Sequence, residues 1–336
     1  MAASPPEQGC HRVLIVGCGE LGSRHLQAVA SLPLVKEIEV VDPRPDALRL
    51  GWERLADLPG PRPAIEVRWV SSVEEASKEG GLCIIATQAQ GRCQLLRHIA
   101  ETLGYTSFLL EKIVAPSVPE MVDSVEFTSS RGLSAWVNLQ TRAAPFFQQA
   151  KGRLDPSEPI AFNVVGGMQF LATHGIHGAD LFAFFDDCRS IEGSGSQVDP
   201  VLHPSKRGSH LYDLRGTLHG FTPKGSSLTI SHIDSGSAWG HVSIASSRYR
   251  CFVDYLQHWA MEGGPESGWA WRQVPFEGNM LVSQTTKEFT TDILTSGRCA
   301  LPTLEESLVS HRFILEELRP HFCRLLGRSL DQLPVT

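Results

Sequence analysis

The sequence predicts an α/β protein of two domains. The first, over residues 1–140, is a doubly wound parallel sheet; the second, over residues 141–336, is α+β, built on a largely antiparallel, open-faced sheet. Three observations carry this. A β-branched run, Val13-Leu14-Ile15-Val16, ends in the glycine-spaced turn Gly17-Cys18-Gly19-Glu20-Leu21-Gly22, and an apolar-periodic segment follows (Leu21, Leu26, Val29, Leu32). Strand-like and helix-like segments then alternate as far as Val137, the pattern of parallel strands joined by crossover helices. Beyond Arg142 strand-like pieces follow one another with few helices between them, and Ser/Gly-rich connectors stand at 193–196, 235–237 and 263–268, which is how an antiparallel sheet reads.

The first strand, turn and helix place glycine at the three points where a dinucleotide pyrophosphate needs bare backbone. Gly17 permits the sharp turn, Gly19 lets the main chain approach the phosphates, and Gly22 lets the helix pack close to the sheet. The N–H groups of the first helical turn then face the anion, which makes Gly17, Cys18, Gly19, Glu20, Leu21 and Gly22 cofactor-binding candidates. The second strand, residues 37–41, ends in Asp42, about 20 residues past the last glycine, where an acid holds the adenosine ribose. Asp42 favours NAD by accepting from the ribose hydroxyl and repelling a 2′-phosphate, while Arg44, two residues on, keeps NADP open. A glycine-rich turn that binds nothing would leave Asp42 without a reason. Cys18 is either a thiol whose pKa the helix-terminal N–H groups lower or, more simply, a small side chain that fits a crowded turn.

Residues 43–58 read as a helix, with Leu48, Trp52, Leu55 and Leu58 at helical spacing, closed by Pro59-Gly60-Pro61-Arg62-Pro63. Residues 65–70 alternate like a strand, 73–78 give a short helix, and 81–87 form the continuous apolar run of a central parallel strand. A helix over 89–103, a strand over 107–110 running into Glu111-Lys112, a helix over 118–128 and a sixth strand over 133–137 complete the first domain. In the second, strands are expected over 161–165, 214–218, 228–232, 242–245, 249–254 and 269–274, interrupted by one helix at 175–185. The segment 304–318 is amphipathic, with Pro302-Thr303 as its cap, and is expected to pack back on the first domain.

Composition narrows the function classes. Across 336 residues, 42% hydrophobic and 20% charged content suit a soluble globular enzyme with a sizeable core. A formal net charge of −7 speaks against nucleic acid or an anionic membrane as a partner. The polar start from Met1 to Gln8 has no apolar signal region, and no apolar run approaches the ~20 residues that span a bilayer, so a cytoplasmic protein is expected. The eight cysteines (Cys10, Cys18, Cys83, Cys93, Cys188, Cys251, Cys299, Cys323) contain no C-x-x-C and read as free thiols.

Two places offer chemistry. Glu111-Lys112 lies at the carboxyl end of the fifth strand, where open parallel sheets bind ligands. A lysine there can hydrogen-bond a substrate hydroxyl and lower its pKa as hydride leaves, or protonate a carbonyl in reverse; the plain alternative is a surface lysine paired with its neighbour. The second place is Thr173-His174-Gly175-Ile176-His177-Gly178-Ala179-Asp180. His177 and Asp180 stand one helical turn apart. A histidine at a helix N-terminus tends to stay neutral, which suits a general base, and Asp180 is placed to orient its ring. Two other readings stay open: histidines that cap or pack a helix, and a metal triad from His174, His177 and Asp180. The drift of successive i,i+3 steps around the helix disfavours the triad, so no metal is expected. Arg142, near the domain junction, is either a contact for a polar or acidic substrate or an interdomain salt bridge.

With these pieces in place, the chain resembles the Gfo/Idh/MocA oxidoreductases, the glucose–fructose oxidoreductase and inositol dehydrogenase family, over most of its length. The resemblance lies in Gly17-Cys18-Gly19-Glu20-Leu21-Gly22-Ser23-Arg24-His25, in Ala86-Thr87 and in Glu111-Lys112. It lies also in Gly175-Ile176-His177-Gly178-Ala179-Asp180 and in Pro302-Thr303-Leu304-Glu305-Glu306. It implies a Rossmann domain holding NAD(H) or NADP(H), with Thr87 and Glu111 at the cofactor. It implies hydride exchange at the alcohol carbon of a sugar, nucleotide-linked sugar or polyol, and homodimers or homotetramers built through the open face of the second domain's sheet. By the same resemblance Lys112 and His177 are the catalytic pair, with Thr173 and His174 beside the substrate. Three departures stand out. The family's Glu-Lys-Pro reads Glu111-Lys112-Ile113, its Thr-Pro-Asn reads Thr87-Gln88-Ala89, and its acid four residues before the histidine is Thr173. A threonine neither accepts a proton nor holds an imidazolium by charge, so His174 or a substrate group is expected to substitute. Two further readings therefore stand beside the oxidoreductase of CH–OH groups: a cofactor-binding sensor or scaffold without catalysis, and a reductase of an imine or conjugated substrate, which needs one proton donor only.

Overall fold

A computed structural model describes residues 11–59, 65–234, 239–254, 257–276 and 281–336. The expectations for the N-terminal tail with Cys10, for residues 60–63 of the proline cluster and for the 235–237 connector lie outside the described residues. The chain divides into two compact units. One comprises Met1–Glu111, Glu126–Asn138 and Met280–Ala300, the other Lys112–Val125, Leu139–Asn279 and Leu301–Thr336. The chain crosses between the units at several points, the one nearest the expected boundary at residue 140 lying between Asn138 and Leu139, and Lys112 belongs to the second unit. No helix among the described residues is long and apolar enough to cross a membrane.

The first unit contains β1 (His11–Val16), α1 (Gly22–Val29), β2 (Val35–Val41), α2 (Pro45–Ala56), β3 (Glu66–Val70) and β4 (Leu82–Ile85). It continues with α3 (Arg92–Leu103), β5 (Ser107–Leu110) and β6 (Ser134–Val137). The strands are all parallel, in the order β3-β2-β1-β4-β5-β6. The order reverses between β1 and β4, and in such sheets the crevice outside the carboxyl ends at that point is where a dinucleotide binds. All of β4 and the last four residues of β1 are buried, which is why they read as unbroken apolar runs. Two expectations shorten: residues 73–78 hold only a 3-10 turn, Val73–Glu75, and the helix expected from 89 starts at Arg92, after Gly91 at φ +80°.

The helix α4 (Val118–Ser130) carries the chain from the second unit back to the first. A helix nobody would read from apolar spacing, numbered below as α7 (Val282–Ser296), also belongs to the first unit and packs on α1. Its buried face is largely threonine (Thr285, Thr286, Thr290) with Phe289 and Ile293, so hydrophobic periodicity is weak there.

The second unit begins with α5 (Pro145–Lys151), β7 (Ala161–Gly167) and α6 (Gly175–Asp186). Four two-residue strands follow: β8 (Glu192–Gly193), β9 (Gln197–Val198), β10 (His203–Pro204) and β11 (Tyr212–Asp213). Then come β12 (Gly216–Phe221), β13 (Ser227–Ile233), β14 (Trp239–Ala245), β15 (Arg250–Asp254), β16 (Trp259–Gly263), β17 (Arg272–Pro275) and α8 (Leu304–Leu326). The large sheet runs β17-β16-β15-β14-β7-β13-β12-β8, with β9 also on β12. It is antiparallel except at β13–β7. The strand expected at 269–274 begins at Arg272, and β16, not foreseen, pairs with it. Along β13, Leu228, Ile230 and His232 are buried while Thr229 and Ser231 are half-exposed; α6 packs on β13, and the alternation leaves the other face of the sheet open.

Helix α8 has the expected cap: Thr303 Oγ1 accepts from the Glu306 N–H (3.1 Å) and Glu306 Oε2 from the Thr303 N–H (3.0 Å). It runs through Pro320 to Leu326, past the expected end at 318, and it packs on α6 within the second unit. The reason lies in α6, which is apolar on nearly every side and needs a second cover besides the sheet. Phe313, Ile314 and Leu318 of α8 are among its buried residues.

Candidate active site

In the first unit, β1 ends at Gly17, which takes φ +89° and donates its N–H to Val41 O (2.8 Å). A Cβ there would lie 3.0 Å from backbone atoms of Ala86 and Thr87. At Gly22 a Cβ would come within 1.7 Å of Gly17 O, so the first turn of α1 sits directly on the β1 turn and only glycine fits. Around Gly19 the nearest atom to such a Cβ is Arg44 Nη2 at 3.4 Å. A bare backbone cradle opening a helix is what a pyrophosphate requires.

Asp42, buried at the end of β2, ties this loop down. Its Oδ2 accepts from the Cys18 N–H (2.8 Å), and its Oδ1 accepts from the Arg44 N–H (3.0 Å) and Nε (3.2 Å). The carboxylate raises the pKa of the exposed Arg44 guanidinium in turn. Cys18 is the small packed side chain and not the activated thiol: burial, then Asp42, pushes it up to about 12, and its Sγ lies where a Cβ on Gly51 would reach 2.3 Å. Glu20 pairs with Arg54, which also donates to Glu20 O (2.7 Å) and Ser23 Oγ (2.6 Å). Leu21 is the N-cap residue of α1, without a side-chain cap bond.

At the end of β5 the buried Glu111 carboxylate accepts from Asn138 Nδ2 (2.6 Å) and meets His25 Nε2 (2.9 Å), whose Nδ1 meets Thr286 Oγ1 of α7 (2.9 Å). Glu111 thus joins α1 to the residue after β6. The buried Arg92 donates to Glu111 O (2.5 Å) and to Thr87 O. Thr87 and Glu111 were named from the sequence; Arg92 and Asn138 were not, and neither sits in a pattern that would have marked it.

In the second unit Lys112 is buried, and its Nζ donates to Thr173 O (2.6 Å). It is not a surface lysine. The Lys112–Ile113 peptide is cis. Two anchors hold the segment after it: the Val114 N–H donates to His311 Nε2 (3.1 Å), and the Leu333 N–H to Pro116 O (2.8 Å). Thr173 opens the turn into α6. His174, the N-cap residue, accepts from the Phe170 N–H at Nδ1 (3.1 Å), and burial together with the Lys112 charge lowers its pKa to about 3, so it is neutral. His232 donates from Nδ1 to Phe170 O (2.9 Å) and is lowered to about 4 by burial. His177, half-buried on the first turn, has Nδ1 3.4 Å from Thr141 Oγ1.

Arg142 and Asp180, expected respectively at the substrate and on the His177 ring, hold each other. Arg142 Nε donates to Asp180 Oδ2 (2.8 Å) and Nη2 to Oδ1 (2.7 Å), with Glu306 at 3.5 Å. Burial pushes the Asp180 carboxyl up to about 6 against the pull of Arg142. The pair lies inside the second unit. Among the described residues no group of three His, Cys, Asp or Glu side chains is placed to hold a metal ion.

No protein-family model and no curated protein matches the chain in sequence. Solved structures match it in three dimensions. An oxidoreductase from Agrobacterium radiobacter in complex with NAD+, L-tartaric acid and magnesium has a TM-score of 0.70 at 15% identity, over 90% of this chain and 94% of that one. KijD10, a 3-ketoreductase from Actinomadura kijaniata in complex with NADP, has 0.68 at 16%, over 91% and 96%. GenD2 from gentamicin A biosynthesis in complex with NAD has 0.68 at 15%, over 94% and 95%. The chain shares their fold. That likeness extends along nearly the whole sequence, through the parallel sheet and the mixed sheet alike.

Proposed function

We propose that the chain is an NAD(P)-dependent oxidoreductase, of the kind its motifs resemble, that moves hydride between nicotinamide and the alcohol carbon of a sugar, nucleotide-linked sugar or polyol. The observation that carries this reading is the Gly17 to Gly22 turn, closed so tightly that Gly22 admits no Cβ, with Asp42 buried behind it. Support comes from the shared fold, since the Agrobacterium enzyme and GenD2 were solved with NAD and KijD10 with NADP. L-tartaric acid in the first of these, and the ketoreductase chemistry of KijD10, support a hydroxyl- or keto-bearing carbon as the reacting centre.

The backbone of residues 17–22 would hold the pyrophosphate, with Asp42 and Arg44 at the adenosine ribose and Thr87 and Glu111 at the same end of the sheet. A nicotinamide held there would supply or accept the hydride. The proton falls to the second unit. Lys112, with its ammonium steered by Thr173 O, hydrogen-bonds the reacting oxygen, and His177 takes or returns the hydroxyl proton. Thr173 and His174 border the lysine and are assigned to substrate contact, whereas Arg142 and Asp180 keep α6 in place as a buried pair. Asp42 favours NAD, and the Arg44 guanidinium beside it keeps NADP open. We assign homodimers or homotetramers to the open sheet face and the cytoplasm as compartment.

Calorimetry with both cofactors, followed by nicotinamide absorbance across a panel of sugars, sugar nucleotides and polyols, tests this. The expected result is binding with turnover on at least one class. Heat from neither cofactor overturns the proposal; binding without turnover across the panel favours the sensor reading.

A further inference from the structure

Asp213 lies in no motif, on a two-residue strand in the least patterned part of the chain. It is buried, and it accepts four hydrogen bonds from one short stretch of surroundings. Oδ1 takes the Ala172 N–H (2.8 Å) and the Leu214 N–H (2.8 Å), and Oδ2 takes the Thr173 N–H (2.9 Å) and the Thr173 hydroxyl (2.5 Å). Three of the four fix residues 172–173, and the carbonyl of Thr173 is the group that receives Lys112 Nζ (2.6 Å). The strand carrying Asp213 is itself anchored: β11 pairs with β10, and the Tyr212 N–H donates to Pro334 O (2.7 Å), one residue from the Leu333 N–H that holds Pro116 O. A carboxyl group that accepts three backbone N–H groups has little freedom to turn, and a buried one must find its partners within the protein.

We propose that Asp213 is a positioning residue for Lys112: it fixes the Ala172–Thr173 backbone so that the Thr173 carbonyl holds the ammonium, and it stands one hydrogen bond behind the Thr173 hydroxyl. The proposal rests on the reading of Lys112 as the proton-handling group. It has two chemical consequences. The Thr173 hydroxyl donates its proton to Asp213, so toward a ligand its oxygen only accepts. And the carboxyl group that a threonine lacks is present at that position all the same, delivered from β11.

The test is acetylation of the protein by acetic anhydride at a fixed pH, with the rate at each lysine followed by mass spectrometry. It needs neither cofactor nor substrate. Wild type is compared with Asp213→Asn, Thr173→Val and Thr173→Ser, with the exposed Lys36 and Lys206 as internal controls. The expected result is Lys112 acetylated about tenfold faster in Asp213→Asn and severalfold faster in Thr173→Val. Thr173→Ser, which keeps the hydroxyl, should match wild type, and the control lysines should be unchanged in all. A Lys112 rate in Asp213→Asn equal to wild type overturns the proposal. If that variant does not fold, Thr173→Val decides: a faster rate supports the proposal and an unchanged one overturns it. A chain that transfers no hydride would leave these rates as they are, so the two readings fail separately.

Discussion

Lys112 and His177 are held differently, and the difference matters for what each can do. Lys112 is buried with its head group on a carbonyl, while His177 sits half-buried at a helix start with Nδ1 3.4 Å from Thr141 Oγ1. Lys112→Ala and His177→Ala are each expected to lower turnover by ~10²-fold or more with cofactor binding intact, read by steady-state kinetics beside calorimetry; unchanged turnover removes the residue from the mechanism. A second expectation concerns the neutral histidines behind them. His232 is lowered from 6.5 to about 4 by burial. The unfolded chain therefore takes up this proton first, so the stability it contributes is present above pH 6.5 and is lost as pH falls toward 4. His232→Asn should flatten the wild-type loss between pH 7 and pH 5 by about 2 kcal/mol, measured by urea melts at the two pH values. His174, lowered for the same cause, adds a slope of the same sign, so the variant flattens the curve without levelling it. An unaltered slope would mean that His232 is solvated in the folded protein.

Among the elements, the joint between β1 and α1 has the least room. Gly22→Ala places a methyl where Gly17 O already stands, so the helix must shift or the turn must open. We expect a loss of about 3 kcal/mol in a denaturant melt and no measurable cofactor binding by calorimetry; a variant as stable as wild type would show that the turn yields freely. The neighbouring elements show which signals a linear reading can follow. The turn, β5 and the Thr303 cap of α8 are local patterns of glycine spacing, apolar runs or capping residues, and they stand where the sequence puts them. Helix α7 was hidden because threonines line its buried face, and α8 runs beyond its expected end because Pro320 is accommodated inside it.

At the scale of the molecule, the open face of the second unit's sheet is the surface we propose for self-association. Asn163, Thr229 and Ser243 stand side by side on β7, β13 and β14, and no helix of the described residues is needed to explain their polarity. Thr229→Arg is expected to turn the dimer or tetramer into a monomer with an unchanged circular dichroism spectrum, by light scattering coupled to size exclusion. A wild-type protein that is monomeric at every concentration removes the assignment. The division into units is also a whole-molecule fact. Lys112 and His177 were expected from separate domains, and both belong to the second unit, because the chain crosses between Glu111 and Lys112.

What the sequence determined by itself is what short-range physics writes into it: the parallel sheet from its apolar runs, the bare-backbone turn from its glycine spacing, the acid at the end of the second strand, and the lysine and histidine as candidates. What only the tertiary structure decided is how polar groups far apart in the chain satisfy one another. Arg142 proved to belong to Asp180, Glu111 to His25 and Asn138, and Thr173 to an aspartate forty residues away. Burial forces every such group to find a partner, but the partner is chosen by where the fold brings the chain together, and no local period records that choice.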